Sequence, residues 1–282
     1  MEKIRIIPRL DIKGPNLVKG IHLEGLRVLG KPERFAKYYY ENGADELFFQ
    51  DTVASLYERN SLHDIISKTA KEIFVPMTVG GGLRSIDDIK SVLRAGADKV
   101  AINTAAIKNP DFIKEAALQF GSSTIVVAIE AIKESNGKYL VYTDNGREHT
   151  GVDVIQWAKQ VEELGAGEIV ITSVDKEGTG EGFELELTKL VSKAVHIPVI
   201  AHGGCGGPSD AAEVISVANV DAIALSSVLH YEYITHRIEE DSFKEEGNIT
   251  FLKSGVGYGK IKPCTLLDLK LYLQEKSIPI RA

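Results

Sequence analysis

The sequence predicts a (β/α)8 TIM barrel built from two similar halves. Three observations predict it. Eight short β-rich apolar runs alternate with helical patterns along 282 residues, and alternation of that kind closes into a parallel barrel. The chain echoes itself at an offset near half its length. Glycine motifs stand after matching strands in both halves, where barrels carry their chemistry.

The expected strands are residues 4–10, 46–50, 73–79, 99–103, 124–130, 168–172, 198–202 and 222–226. The segments between them read as helices. Ser85 caps a helix over 86–95, with Asp88 at the capping-box position and Gly96 as the stop. Asn109-Pro110 opens the next helix, and Gly121 follows its end. Asp153 caps 154–164, and Gly165 ends it. Glu46-Leu47-Phe48-Phe49 echoes Glu168-Ile169-Val170-Ile171, an offset of 168 − 46 = 122. Val75-Pro76 with Gly81-Gly82 matches Ile197-Pro198 with Gly203-Gly204 at the same offset. The repeat is too long for a solenoid unit and fits half of an eight-fold barrel. One domain over 1–282 is expected, with halves of about 1–121 and 122–282.

With 44% hydrophobic residues the chain can fill one large core. It holds no apolar stretch of about 18 residues, so no membrane span is expected. Met1-Glu2-Lys3-Ile4-Arg5 leads straight into a strand and lacks the core of a signal peptide. Cys205 and Cys264 make neither a disulfide framework nor a zinc pattern, so neither metal nor cofactor is expected. A net charge of −7 argues against nucleic acid as the partner. Together these features point to a soluble cytoplasmic protein.

Val79-Gly80-Gly81-Gly82 and His202-Gly203-Gly204 each follow a strand and precede a helix. Glycine there lets backbone N–H groups approach an anion, and the helix dipole adds to the attraction. A tight turn is the plainer reading of one such cluster. Two clusters at matching positions, each beside a hydroxyl-bearing strand end (Asn103-Thr104 and Ser226-Ser227), favour phosphate at both. Two sites in one barrel imply a substrate phosphorylated at both ends. Asp11 and Glu130 end the first and fifth strands, equivalent places in the two halves. Facing carboxylates between two phosphate sites suit general acid and base work. Asp51, Asp175 and Glu177 also follow strands and are candidates for a supporting role beside the catalytic pair or in the substrate loops. Lys19, in the glycine-flanked loop Val18-Lys19-Gly20, reads as either a mobile anion contact or a solvated lysine.

Ile6-Ile7-Pro8-Arg9-Leu10-Asp11, Val18-Lys19-Gly20, Thr78-Val79-Gly80-Gly81-Gly82, Gly96-Ala97-Asp98-Lys99-Val100, Ile102-Asn103-Thr104-Ala105-Ala106 and Gly165-Ala166-Gly167-Glu168-Ile169 resemble HisF, the cyclase subunit of imidazole glycerol phosphate synthase. The resemblance covers roughly residues 1–230 and resumes near the last helix. It implies ammonia delivered by a HisH-like glutaminase docked on the barrel bottom. It further implies a bis-phosphorylated ribulosyl aminoimidazole carboxamide substrate at the top. The products would be imidazole glycerol phosphate and an aminoimidazole carboxamide ribotide. The two catalytic aspartates fall on Asp11 and Glu130. The phosphate positions fall on Gly82, Asn103, Thr104, Gly203, Gly204, Ser226 and Ser227. The charged gate for ammonia falls on Arg5, Glu46, Lys99 and Glu168. Those four stand at the starts of strands 1, 2, 4 and 6, and a salt network that merely closes the barrel is the plainer reading.

Four departures from the family pattern stand out. Glu130 replaces aspartate, and a carboxylate displaced by about an ångström can cost on the order of 10²-fold in rate. Arg9 stands where the family has a small cysteine. In a regular strand Arg5, Arg9 and Asp11 share the lumen face, and a buried arginine needs a partner among Asp11, Gln50 and Glu130. Pairing with Asp11 would hold that carboxylate ionised. Glu177 also stands where the family has aspartate. About 30 residues, roughly 231–260, are inserted before the last helix, as a surface excursion, a lid or a docking surface. An alternative function follows: a HisF-like channelling subunit that feeds ammonia to the amidation of a surface-polysaccharide sugar. The related sugar isomerase of histidine synthesis is a third reading, disfavoured by the charged bottom.

Overall fold

The structure, a computed structural model, describes residues 3–54, 62–236 and 259–281. Its strands are β1 (Arg5–Lys13), β2 (Asn16–Ile21), β3 (Glu24–Gly30), β4 (Leu47–Asp51), β5 (Met77–Gly80), β6 (Lys99–Ile102), β7 (Ile125–Lys133), β8 (Tyr139–Thr143), β9 (Glu148–Asp153), β10 (Glu168–Ser173), β11 (Val199–His202) and β12 (Ala222–Leu225). The eight strands β1, β4, β5, β6, β7, β10, β11 and β12 pair in parallel, and the β7–β10 pairing closes the barrel. These are the eight apolar runs of the sequence. Parallel barrel strands are covered on both faces, so they read as unbroken apolar segments. In β1, Ile6, Leu10 and Ile12 point to the helical layer, while Ile7 points into the lumen.

The described helices are α1 (Pro32–Glu41), α2 (His63–Thr69), α3 (Ile86–Ala95), α4 (Thr104–Lys108), α5 (Asp111–Phe120), α6 (Val154–Glu163), α7 (Leu185–Ala194), α8 (Pro208–Ala218), α9 (Ser227–His236) and α10 (Leu266–Glu275). The expected signals act as expected. Ser85 and Asp88 form a reciprocal capping box on α3, and Gly96 ends it in the left-handed region. The Asp153 carboxylate accepts the N–H groups of Ile155 and Gln156 at the start of α6. No described helix is long and apolar enough to cross a membrane.

Two features depart from the sequence expectation. The third barrel strand begins at Met77 and not at 73, because Phe74 is turned to solvent and Pro76 has no N–H for a ladder. The first strand of each half also runs on into a hairpin. The β2–β3 hairpin pairs with the end of β1, and β8–β9 pairs with the end of β7. Both rise above the C-terminal mouth of the barrel. Of the expected insertion at 231–260, residues 231–236 finish α9 and 237–258 lie outside the described residues.

Candidate active site

The barrel lumen is layered from bottom to top, because every second residue of each strand faces inward. At the bottom Arg5, Glu46, Lys99 and Glu168 form a closed ring of alternating charge. Arg5 donates to Glu46 at 2.8 Å and to Glu168. Lys99 bridges the same two carboxylates at 3.2 and 3.1 Å. Burial works against the Arg5 charge, but Glu168 and Glu46 outweigh it and raise its pKa further. A vestibule of about 530 Å³ opens below the ring and is also lined by Lys3, Asp221 and Arg281. Above the ring sits an apolar layer of Ile7, Phe48, Ala101, Val126, Val170, Ile200, Ala222 and Ala224.

The top layer is polar. Arg9 points into the lumen, is 5% exposed, and lies over the Phe48 ring. Its Nε donates to Asp11 Oδ1 at 2.9 Å, and a terminal nitrogen lies 3.2 Å from His202 Nδ1. Of the partners open to Arg9 on sequence grounds, Asp11 takes it. Lys19 adds a second cation 3.5 Å from Asp11. Burial alone would raise the Asp11 pKa, but Arg9, then Lys19, hold it well below the usual carboxylate range. Glu130, across the barrel, has the opposite environment. Burial pushes its carboxyl up to about 7, and the Gly146 N–H that donates to it at 2.9 Å offsets this only in part. Two carboxyls at equivalent strand ends therefore differ in charge near neutrality.

Two clefts flank this layer. The first, of about 200 Å³, joins Gly81, Gly82, Asn103 and Thr104 to Glu130, with Asp51, Arg84 and Lys108 on its wall. Gly81 has φ +102°, and a Cβ there would stand 2.4 Å from the Asp51 carbonyl oxygen, so only glycine fits. The second, of about 20 Å³, joins His202, Gly203, Gly204, Ser226 and Ser227 to Lys19 and Glu177. Gly203 and Gly204 also have positive φ, 96° and 104°. Ser227 opens α9 here, as Thr104 opens α4 in the first cleft.

Two sequence expectations, those for Lys19 and Asp175, need correction. Lys19 is neither mobile nor solvated. It lies in β2, is 3% exposed, and pairs with Glu177 and Asp11. Burial lowers its pKa against the pull of Asp11. Asp51 lines the first cleft, where Oδ1 accepts the backbone N–H groups of Val53 and Ala54 at 3.0 and 2.9 Å and holds the turn that follows β4. Asp175 lies outside both clefts. It is exposed and accepts the Lys133 N–H at 2.8 Å. Glu177 is buried beneath the β2–β3 hairpin and also accepts the Leu23 N–H at 3.0 Å. Sequence reasoning passed over His202, which it used only to mark the strand before Gly203. Inward spacing on β11, two residues past Ile200, is the signal that places it in the lumen.

Fold and site define a class: a two-fold (β/α)8 barrel with paired glycine–hydroxyl clefts flanking two carboxyls at its C-terminal mouth. Residues 5–235 match the family described as histidine biosynthesis protein. The chain is 61% identical over 206 residues to the imidazole glycerol phosphate synthase subunit HisF of Legionella pneumophila, covering 73% of this chain and 97% of that one. It is 48% identical over 256 residues to the same subunit of Methanocaldococcus jannaschii, covering 84% and 94%. It is 49% identical over 243 residues to that of Lactococcus lactis subsp. cremoris, covering 86% and 92%. The chain belongs to the HisF family of imidazole glycerol phosphate synthase subunits.

Proposed function

We propose that this chain is the cyclase subunit of an imidazole glycerol phosphate synthase. It takes ammonia from a HisH-like glutaminase docked at the barrel bottom, through the ring of Arg5, Glu46, Lys99 and Glu168. A ribulosyl aminoimidazole carboxamide with phosphate at both ends spans the mouth. One phosphate sits on Gly81, Gly82, Asn103 and Thr104, the other on Gly203, Gly204, Ser226 and Ser227. Asp11 and Glu130 lie between. The observation that carries this reading is their contrast in charge. Asp11 is held anionic and serves as base and electrostatic partner for the ammonia nitrogen. Glu130, with a pKa of about 7, retains a proton to give to the departing group. Lys19 and Glu177 close over the second cleft, and Asp51 shapes the wall of the first. Such a subunit works in the cytoplasm.

The channelling alternative draws on Glu130, Arg9 and the insertion at about 231–260. It is not favoured, because the relatives above are HisF subunits by name and span nearly their whole length on this chain.

The test supplies the purified chain with the bis-phosphorylated substrate and an ammonium salt and follows substrate loss. Turnover that Asp11→Asn abolishes supports the reading. Absence of turnover in the unaltered chain overturns it.

A further inference from the structure

His202 is the residue the catalytic reading leaves unused. It is 4% exposed at the end of β11, immediately before Gly203 and Gly204. Both polar contacts of its ring fall on one nitrogen. The Arg9 terminal nitrogen is 3.2 Å from Nδ1, and the Thr172 hydroxyl oxygen is 3.1 Å from it. A guanidinium has donors and no acceptor. Nδ1 must therefore offer its lone pair, and a neutral ring then carries its proton on Nε2. The ring stays neutral because a second proton would have to sit at Nδ1, against the Arg9 cation, in a buried site.

Among the described residues Nε2 has no hydrogen-bond partner. It is also absent from the fully occluded polar atoms that lack one, which among the described residues include His230 Nε2. It is thus an open donor, and the cavity that His202 lines is the second cleft, with Gly203, Gly204, Ser226 and Ser227. The charges around this cleft explain what a neutral donor adds. Lys19, the cation at its edge, is already matched by Glu177 and Asp11. The first cleft, by contrast, has Lys108 and Arg84 on its wall with no carboxylate paired to either among the described residues.

We infer that His202 is a further ligand of the anion in the second cleft, donating through Nε2–H, and that Arg9 is the positioning residue that sets this tautomer. The inference rests on the reading of that cleft as a phosphate site. At about 20 Å³ the cleft has room for roughly one water, so an anion must widen it on entry. A phosphate oxygen then replaces water as the acceptor of Nε2–H, while the backbone N–H groups of Gly204 and Ser227 take the other oxygens.

The test is long-range proton–nitrogen NMR on the ¹⁵N-labelled chain, with His202 assigned by the signal lost in His202→Gln. Inorganic phosphate is the probe. The expected spectrum shows the Nε2–H tautomer throughout pH 5.5–8.5. Phosphate shifts that resonance together with the amides of Gly204 and Ser227. His202→Phe weakens phosphate binding in this cleft about tenfold. His202→Gln, whose amide reaches about as far as Nε2, recovers most of it. Arg9→Met lets His202 populate the other tautomer and titrate. An Nδ1–H or cationic ring in the unaltered chain overturns the inference. So does phosphate that moves Gly204 and Ser227 but not His202. If phosphate moves none of the three, the anion-site reading itself fails, and the inference falls with it.

Discussion

Replacing Glu130 with glutamine should stabilise the fold, and by an amount that grows with pH. The carboxyl has a folded-state pKa of about 7 against an ordinary value of 4.5. Below 4.5 both the folded and unfolded chains hold the proton, and the site costs nothing. Between 4.5 and 7 the unfolded chain releases the proton while the folded chain keeps it. Stability therefore falls as pH rises through this window, and above 7 the loss is complete. A shift of that size at about 1.4 kcal/mol per pKa unit amounts to roughly 3 kcal/mol. Glutamine does not titrate, and its carbonyl oxygen can still accept the Gly146 N–H. The variant should gain about 2–3 kcal/mol on the unaltered chain between pH 5 and pH 8. Urea unfolding at both pH values, with equal slopes in the two proteins, measures the gain. Parallel pH dependence in variant and parent would refute the argument, because it would mean that Glu130 titrates as an ordinary solvated carboxyl.

The same carboxyl sets the pH profile of turnover: with Glu130 as proton donor, kcat should fall as pH rises through about 7, and a rise there in a steady-state pH series would reverse the assigned roles. Arg5→Met leaves the buried Glu46 and Glu168 with Lys99 alone, and a loss of about 3–5 kcal/mol is expected in denaturant unfolding. Lys99→Met should cost less, since the Lys99 side chain is 20% exposed. Gly81→Ala forces a Cβ to within 2.4 Å of the Asp51 carbonyl oxygen at positive φ. It should cost on the order of 1–3 kcal/mol in the same assay and raise KM for the bis-phosphorylated substrate. Ser85→Ala removes one arm of the α3 capping box and should cost about 1 kcal/mol with no change in turnover.

What was legible in the sequence was what local pattern controls. The eight barrel strands stood out because burial on both faces leaves apolar runs. The inward side of β1 follows from period-two spacing, which puts Arg5, Arg9 and Asp11 on the lumen face but leaves the partner of Arg9 open among Asp11, Gln50 and Glu130. The helix ends at Ser85, Gly96 and Asp153 were written in residues that cap or stop a helix within a few positions.

What failed depended on contacts far apart in sequence, or on which way a short side chain turned. The β2–β3 hairpin carries little apolar alternation, so Lys19 read as a loop lysine. It is buried because Glu177, 158 residues away, meets it beneath that hairpin. Asp175 stands at a strand end as Asp11 does, but the backbone N–H of Lys133, 42 residues away, holds its carboxylate outside both clefts. No residue type or spacing distinguishes an aspartate held in this way from one that faces a lumen. His202 escaped notice because the Arg9 that orders its ring is 193 residues away.

The central claim is that ammonia meets a bis-phosphorylated substrate between Asp11 and Glu130. Its most direct test is to supply the purified chain with that substrate and ¹⁵N-ammonium and to weigh the products by mass spectrometry. The account predicts imidazole glycerol phosphate carrying one ¹⁵N, an unlabelled aminoimidazole carboxamide ribotide, and neither product from Asp11→Asn. Intact substrate, or labelled product formed equally well by Asp11→Asn, would contradict it.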